Sequence, residues 1–586
     1  MFNPNEDRLY YGNLLSPEDC RIDFAIGTTY SLEFASLISA SMSIGLDDDV
    51  DSNLMKNRIF LLRELRKTSD KIALFCESGM IHFPKKISPL YILLENIVFQ
   101  VTPKKGFSFH PKFWLLKYID ENEEILYRLI VLSRNLTSDR SWDISFSMDG
   151  KKSENPTDKN NPIIDFINYL IKFTTDNKKI SKMKEIIDDL KYIHFDLDCK
   201  IFKDFDFIIN GIGGNYSIQN QSLYLDNLNE LLIVSPFLSK NIINHFNNLK
   251  SYNSKALLFT RLESLSKLKP NDCDNFEIYT LKEEVIMGME SQDISNQDIH
   301  AKLYYIENKN SCELYLGSLN ASNNAFIGNV EIMIKLNVKK SKLSVNQIAN
   351  DLFNKDKEGP NNPFKLVKIE DFCPEESSEE SKVDFIMKDI SHFNPKARII
   401  SHENTYDIEV KFENFNYNQI KEVFVFIKPL YADNELEFSE CMLFENLSKR
   451  DLSEFFIVTV KDEFNVIKRV LKIKTEGMPE NRQDEVISSI ITNEEDFIKY
   501  VIFLLGDDYV ISAIENENIG KSSKSITLDL PELYEKMLKT ACYSPEKFDE
   551  IKFFVSALSE KNIIPEGFEE LYNTFIMVID YHGKYF

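Results

Sequence analysis

At 586 residues, with 43% hydrophobic side chains, the chain exceeds one ordinary core and two to four domains are expected. A formal net charge of -24 argues for a soluble protein and against a general nucleic-acid coat, because unaided phosphate binding needs a basic surface; a small basic cleft in an acidic shell stays open. No apolar run is long enough to span a bilayer, the N-terminus MFNPNEDRLYYGN lacks an apolar signal region, and the eight cysteines form no CxxC pair or zinc spacing, which fits a reducing cytoplasm.

In chain order, IDFAIGTTYS (22–31) reads as a strand, LEFASLISASMSIG as a helix, and NLMKNRIFLLRELRKTS as a basic amphipathic segment leading to the strand KIALFCES. A third strand lies near NIVFQVTP. His110 and Lys112 then open the strand KFWLLKYI, and YRLIVLSRN follows. The linker holds NPTDKNNP, a helical stretch to about 193, and INGIGGNYS, whose glycines lack a following helix or a Lys-Ser/Thr pair and read as a turn. The order then recurs as the strands ELLIVSPFLS, KALLFTRL and NFEIYTL, then His300 with KLYYIE, then CELYLGSLN. This is an internal duplication with a period of about 190 residues, counted from His110 to His300. The acidic loops KDKEGPNNP and CPEESSEESK place a boundary near 370–385. Residues 395–475 alternate as an antiparallel β module, and 484–586 read as mainly helical. The expected units are residues 1–200, 201–370, 385–480 and 481–586.

Each half carries chemistry in the same order. Period-2 alternation puts His110 with Lys112, and His300 with Lys302, on one strand face. Ser133, Asn135 and Asp143 follow the first pair; Ser318, Asn320 and Glu331 follow the second. Such a set suits phosphate. A neutral histidine can attack phosphorus, and a second can protonate the leaving oxygen. Two lysines and two asparagines can hold the non-bridging oxygens, and a carboxylate behind each histidine can fix its tautomer. The lysines supply the positive charge, so no metal or cofactor is called for. Trp114 and Trp142 are expected to pack the lobe, with stacking on a base as the alternative; Arg134 and Arg140 are expected either to meet a phosphate backbone or to sit in a solvent-facing loop; and the other six histidines are expected to be surface or satisfied core.

The doubled pattern HxK…GSxN…E resembles the phospholipase D superfamily over residues 20–350. The resemblance implies an α/β fold of two pseudo-symmetric lobes packed face to face, one site at the pseudo-twofold axis, and metal-independent phosphodiester cleavage through a phosphohistidine. The sequence departs from the pattern in three places. Lys117 and Glu307 stand where the family has Asp, LSRN replaces GSxN in the first copy, and Asp143 is one methylene shorter than Glu. FHPKFWLL, LSRNLT and SWD also resemble bacterial members found with helicases or in phage-defence loci.

The expectation is therefore a cytoplasmic nuclease acting on DNA or RNA. His110 and His300 form the catalytic pair with Lys112, Lys302, Asn135 and Asn320; Asp143 and Glu331 orient the histidines; Ser133, Ser318 and Arg134 touch substrate. A helicase or translocase partner would deliver substrate, docking on the region past 385. The alternatives are a phosphatidyl hydrolase or transferase, and an inactive binding subunit.

Overall fold

The computed structural model describes residues 2–3, 7, 9–17, 20–45, 57–139, 141–197, 199–225, 228–249, 256–283, 285, 298–308, 311–339, 342–368, 382–416, 418, 420–421, 423–505, 530–545, 547–558 and 563–582. The first sheet contains β1 (Cys20–Thr29), β2 (Ile72–Glu77), β3 (Val98–Val101), β4 (Phe113–Asp120), β5 (Ile125–Leu132) and β6 (Ser145–Lys152). The second contains β7 (Glu230–Val234), β8 (Ala256–Phe259), β9 (Phe276–Leu281), β10 (Leu303–Glu307), β11 (Cys312–Gly317) and β12 (Glu331–Val338). Their spatial orders are β3-β2-β1-β4-β5-β6 and β9-β8-β7-β10-β11-β12, so the duplication read from the motifs is a duplication of topology. In each sheet the first three strands in chain order run parallel, and the last three join them antiparallel. The edges differ: Ile193–Phe195 extends the first sheet past β6, while Phe202–Asn210 and Phe364–Leu366 extend the second past β12 and β9.

Both faces of the first sheet are covered, which is why β2 and β4 read as continuous apolar runs. Along β4, Trp114, Leu116 and Tyr118 face the helices Phe34–Gly45 and Arg58–Ser69. Phe113 and Leu115 face the other way, into a core shared with Leu303, Tyr305, Leu316 and Ile332 of the second lobe. The two lobes therefore meet through one apolar layer. Burial of some dozens of side chains, at about 25 cal/mol per Å2, makes that layer the chief force holding them together. Lys179 adds a polar staple: its buried ammonium donates to the carbonyls of Ser69 and Ile72 at 2.8 and 2.6 Å, closing the C-terminal end of the Arg58–Ser69 helix.

Beyond the lobes, a four-stranded and a five-stranded sheet form the β module, followed by a helical region from Arg482 to His582. The module is antiparallel except for one parallel pair, Ala397 with Thr475. It is not a separate appendage. Ile81–His82, from the first lobe, supplies its fifth strand by pairing with Val470 and Arg469. Buried Glu95 takes Ser453 Oγ at 2.7 Å and the Arg482 guanidinium. Phe455, Val470, Tyr500 and Phe554 share a core with the first lobe's helices. The surface expected to receive a partner thus has one face already covered by this chain. Residues 369–381, where most of the anticipated boundary falls, lie outside the described residues; the helix Lys382–Ser391 follows them. Seven cysteines are free thiols, and Cys373 lies outside the described residues. Among the described residues no helix is long and apolar enough to cross a membrane.

Candidate active site

Both HxK segments precede their strands: β4 begins at Phe113 and β10 at Leu303, one residue past each lysine. Antiparallel pairing with β1 and β7 sets these entries at the C-terminal ends of the parallel strands. There the lobes are stitched by two equivalent parallel bridges, Phe109 with Val330 and Trp142 with Ile299. His110 N donates to Val330 O, and His300 N to Trp142 O, each at 2.8 Å. Each bridge places one histidine immediately beside the acid of the other lobe.

The carboxylates are consequently exchanged. His110 Nδ1 lies 2.9 Å from Glu331 Oε2, and His300 Nδ1 lies 2.9 Å from Asp143 Oδ1. Chain order pairs each histidine with the acid that follows it; the fold pairs it with the other one. With Nδ1 held by a carboxylate, Nε2 is the nitrogen left for chemistry on both rings.

The serines are moved from their anticipated place against substrate. Both are fully buried behind the acids. Ser133 Oγ donates to Asp143 Oδ1 at 2.7 Å and accepts from Ile144 N at 2.9 Å. Ser318 Oγ donates to Glu331 and accepts from Ile332 N at 3.0 Å. Short hydroxyls suit this task, because one oxygen can both donate to the carboxylate and accept from the backbone. Arg134 is likewise turned inward, donating to the carbonyls of Thr137 and Asp139 at 2.9 and 2.6 Å, with Nη1 3.6 Å from Asp143 Oδ2. Arg140 lies outside the described residues.

The lysines are fully buried, and each ammonium folds back onto the carbonyl of its own histidine, at 2.9 Å for Lys112. Burial pushes Lys112 down to about 7, against Glu331, Asp143 and Glu77. Burial also drives Lys302 well below the ordinary lysine range, and Lys112 adds to it. His110 is pushed down to about 4 by burial, against the pull of Glu331. His300 goes down to about 4 through burial and then Lys302, against Asp143. Asp143 stays below its usual value although burial opposes it, because His300 bonds to it. Each lysine acts on the other lobe's histidine, so the two halves form one electrostatic site. Asn135 and Asn320 follow β5 and β11, and each keeps a buried Oδ1 without a hydrogen-bond partner among the described residues.

Several residues escaped the sequence reading. Thr29 Oγ1 and Ser235 Oγ accept at 2.9 Å from Leu136 N and Ala321 N, the residues after the two asparagines. Each hydroxyl also donates back to its own loop, to Ser31 O and Phe237 O. They are equivalent posts, yet Thr29 precedes its histidine by 81 residues and Ser235 by 65, so no fixed spacing reveals them. Glu77 and Arg261 occupy matching places past Thr29 and Ser235. Glu77 Oε2 takes Phe109 N at 2.6 Å, while Arg261 Nε donates to Ile299 O at 2.7 Å. The residue before each histidine is thus held by an acid in one lobe and by a base in the other. Burial raises Glu77 to about 8, against Lys388. The Tyr30 ring lies 5.2 Å from His110.

Other anticipated features fall away from the site. Lys117 pairs with Glu185 and Asp189 at 2.5 and 2.9 Å, tying β4 to the helix Asn177–Leu190. His194, His245 and His392 bond to backbone carbonyls, and His402 to Asp407. Trp114 is core; Trp142 is only half-buried and lines a cavity of about 840 Å3 that reaches Asn135 and Asp143.

No family model and no curated protein matches this chain. Among solved structures, yeast tyrosyl-DNA phosphodiesterase is 13% identical, at a TM-score of 0.36, over 58% of this chain and 88% of that one. Polyphosphate kinase from Porphyromonas gingivalis is 12% identical, at a TM-score of 0.33, over 63% of this chain and 49% of that one. At TM-scores below 0.5 neither likeness bears on the reading of the site, which rests on its own side-chain geometry.

Proposed function

We propose that the chain is a phosphodiesterase that cleaves nucleic acid through a covalent phosphohistidine, with His110 and His300 as the catalytic pair. The observation that carries this is the exchanged pairing: two buried imidazoles, each with Nδ1 on the opposite lobe's carboxylate and Nε2 left for reaction. Near neutral pH both rings are uncharged, as a nucleophile at phosphorus must be. A phosphodiester anion bound between Lys112 and Lys302 favours their charged forms and so opposes the burial that lowers them. Lys112, Lys302, Asn135 and Asn320 then hold the non-bridging oxygens as charge builds in the transition state.

One histidine Nε2 forms the phosphorus–nitrogen bond while the phosphorus–oxygen bond to the leaving group breaks. The other histidine, protonated once the anion is bound, gives its proton to that oxygen. It then takes a proton from water, which attacks phosphorus and releases the histidine. Glu331 and Asp143 stabilise the imidazolium formed on either ring, and Ser318 and Ser133 hold the acids in place. The lysines supply the charge that a divalent cation would otherwise bring.

The net charge of -24 is the reason a delivering partner of helicase type belongs to this proposal, in the phage-defence setting that the first motif resembles. The test is cleavage of labelled single- and double-stranded DNA and RNA in excess EDTA. Persistent cutting that His110→Ala and His300→Ala both abolish supports the reading. Cutting that stops in EDTA, or survives both substitutions, overturns it.

A further inference from the structure

Resting on the phosphodiesterase reading, we propose that Glu77 is a positioning residue for His110, and that the helix Lys382–Ser391 of the β module holds the loop on which Glu77 acts, so that the module is a working part of the active site. Three consecutive amides lead into the first histidine, and each is fixed by a different group. Ser108 N donates to Asn329 Oδ1 at 2.9 Å, Phe109 N to Glu77 Oε2 at 2.6 Å, and His110 N to Val330 O at 2.8 Å. Asn329 and Val330 belong to the second lobe; Glu77 is the buried last residue of β2. In the mate position Ile299 N is met by its own neighbour, Asp298 Oδ1, at 2.6 Å. Among the described residues, the long-range anchor on this amide thus belongs to the His110 side.

The module reaches the same place. β2 and β3 run parallel, and Ser78 N donates to Val101 O at 2.9 Å, so the loops 78–82 and 102–109 leave side by side. The helix Lys382–Ser391 lies against both. Its Ile386, Met387 and Ile390 share a core with Ile427 and Val458 of the module. On the first loop, a Cβ on Gly79, at φ +76, would stand 3.4 Å from Met387 O. On the second, His392, just past the helix, sets one ring nitrogen 2.9 Å from Lys388 O and the other 3.1 Å from Pro103 O. Lys105 Nζ adds an exposed ion pair with Asp389 Oδ1 at 3.2 Å. The loop that carries His110 is therefore held by the second lobe, by Glu77 and by the module.

Burial raises Glu77 to about 8, opposed first by Lys388 of this helix and then by the bond from Phe109 N. Near neutral pH it is mostly a neutral acid, so it serves His110 as a hydrogen-bond acceptor rather than as a charge. A carboxamide keeps that acceptor and that shape. An alanine leaves Phe109 N unmet and frees the residue before the histidine. A displacement of about 1 Å at a reacting group can cost about a hundredfold in rate.

The experiment measures steady-state cleavage of a labelled single-stranded DNA by the full chain in EDTA, together with amide hydrogen exchange in the peptides 104–112 and 298–304. The variants are Glu77→Ala, Glu77→Gln, His392→Ala and the pair Glu77→Ala with His392→Ala. Glu77→Ala should lower kcat about a hundredfold with KM within about twofold, and Glu77→Gln should restore kcat to within about threefold. His392→Ala should lower kcat about tenfold and add less than about twofold to Glu77→Ala, because both act through one loop. Exchange in 104–112 should quicken about tenfold in Glu77→Ala and His392→Ala and stay slow in Glu77→Gln, with 298–304 unchanged. Wild-type kcat in Glu77→Ala, a loss confined to KM, or a Glu77→Gln variant as slow as Glu77→Ala overturns the positioning role and leaves the phosphodiesterase reading standing. Losses that multiply in the paired variant overturn the helix's part in it. If Glu77→Ala does not fold, wild-type kcat and wild-type exchange in His392→Ala overturn the proposal. If the wild-type chain cuts no strand, the functional reading fails and this inference goes with it.

Discussion

Replacing Glu331 by Gln removes the charge 2.9 Å from His110 Nδ1 and leaves His300, the histidine of its own lobe, on Asp143. A buried hydrogen bond to a charged partner is worth about 1.5–3 kcal/mol. Because both histidines are neutral near pH 7, they carry no net charge to couple at longer range. A double-mutant cycle on urea unfolding, followed by tryptophan fluorescence, should therefore give a coupling of about 2 kcal/mol for His110→Ala with Glu331→Gln, and likewise for His300→Ala with Asp143→Asn. The within-lobe cycles, His110 with Asp143 and His300 with Glu331, should fall within about 0.5 kcal/mol of additivity. A large within-lobe coupling with additive behaviour across the lobes would refute the exchanged geometry and the lobe packing that produces it.

Acid stability follows from the same burial. Each histidine is held near 4 against an ordinary 6.5. The unfolded chain takes up a proton at each between those values, so stability is full above 6.5 and falls as pH drops toward 4, by up to about 3 kcal/mol per histidine. The pH dependence of the unfolding midpoint should flatten over that window in His110→Ala. Arg482→Met should leave Glu95 buried and unpaired, costing about 3–5 kcal/mol, and limited proteolysis should then release the region past 385 ahead of the lobes. Thr29→Val and Ser235→Ala remove the acceptors that hold Leu136 N and Ala321 N. Each should lower kcat about tenfold, with KM nearly unchanged, if the asparagines act in the transition state.

The strands of the two lobes were legible because their apolar runs are continuous where both sheet faces are covered, as in IALFCE and FWLLKY. The strands after the acids were not. SFSMDGKK is half-exposed and mixed in character, and Glu331–Val338 begins on the acid itself, so neither stands out as an apolar run. The histidines, lysines, asparagines and acids were readable because they recur in order. The exchange of acids was not, since it depends on bridges between residues 221 and 157 positions apart. The serines were misplaced for the same reason: only the fold shows that Ser133 and Ser318 stand behind the carboxylates. Glu77 and Arg261 are an acid and a base in equivalent places, so no search for repeated residue types would find them. The docking of the helical region was hidden because the apolar stripes of Glu494–Leu505 and Lys547–Leu558 do not say which surface they cover.

Everything proposed for the site turns on the covalent intermediate, and trapping it is the decisive experiment. A DNA strand carrying radioactive phosphorus at every internucleotide position is mixed with the chain in excess EDTA and quenched in alkali within one turnover. The expected result is protein-bound label that is stable in alkali, lost in acid, and confined to the peptide holding His110 or the one holding His300. Strand cleavage with no label on the protein, or label on a peptide with neither histidine, would contradict it.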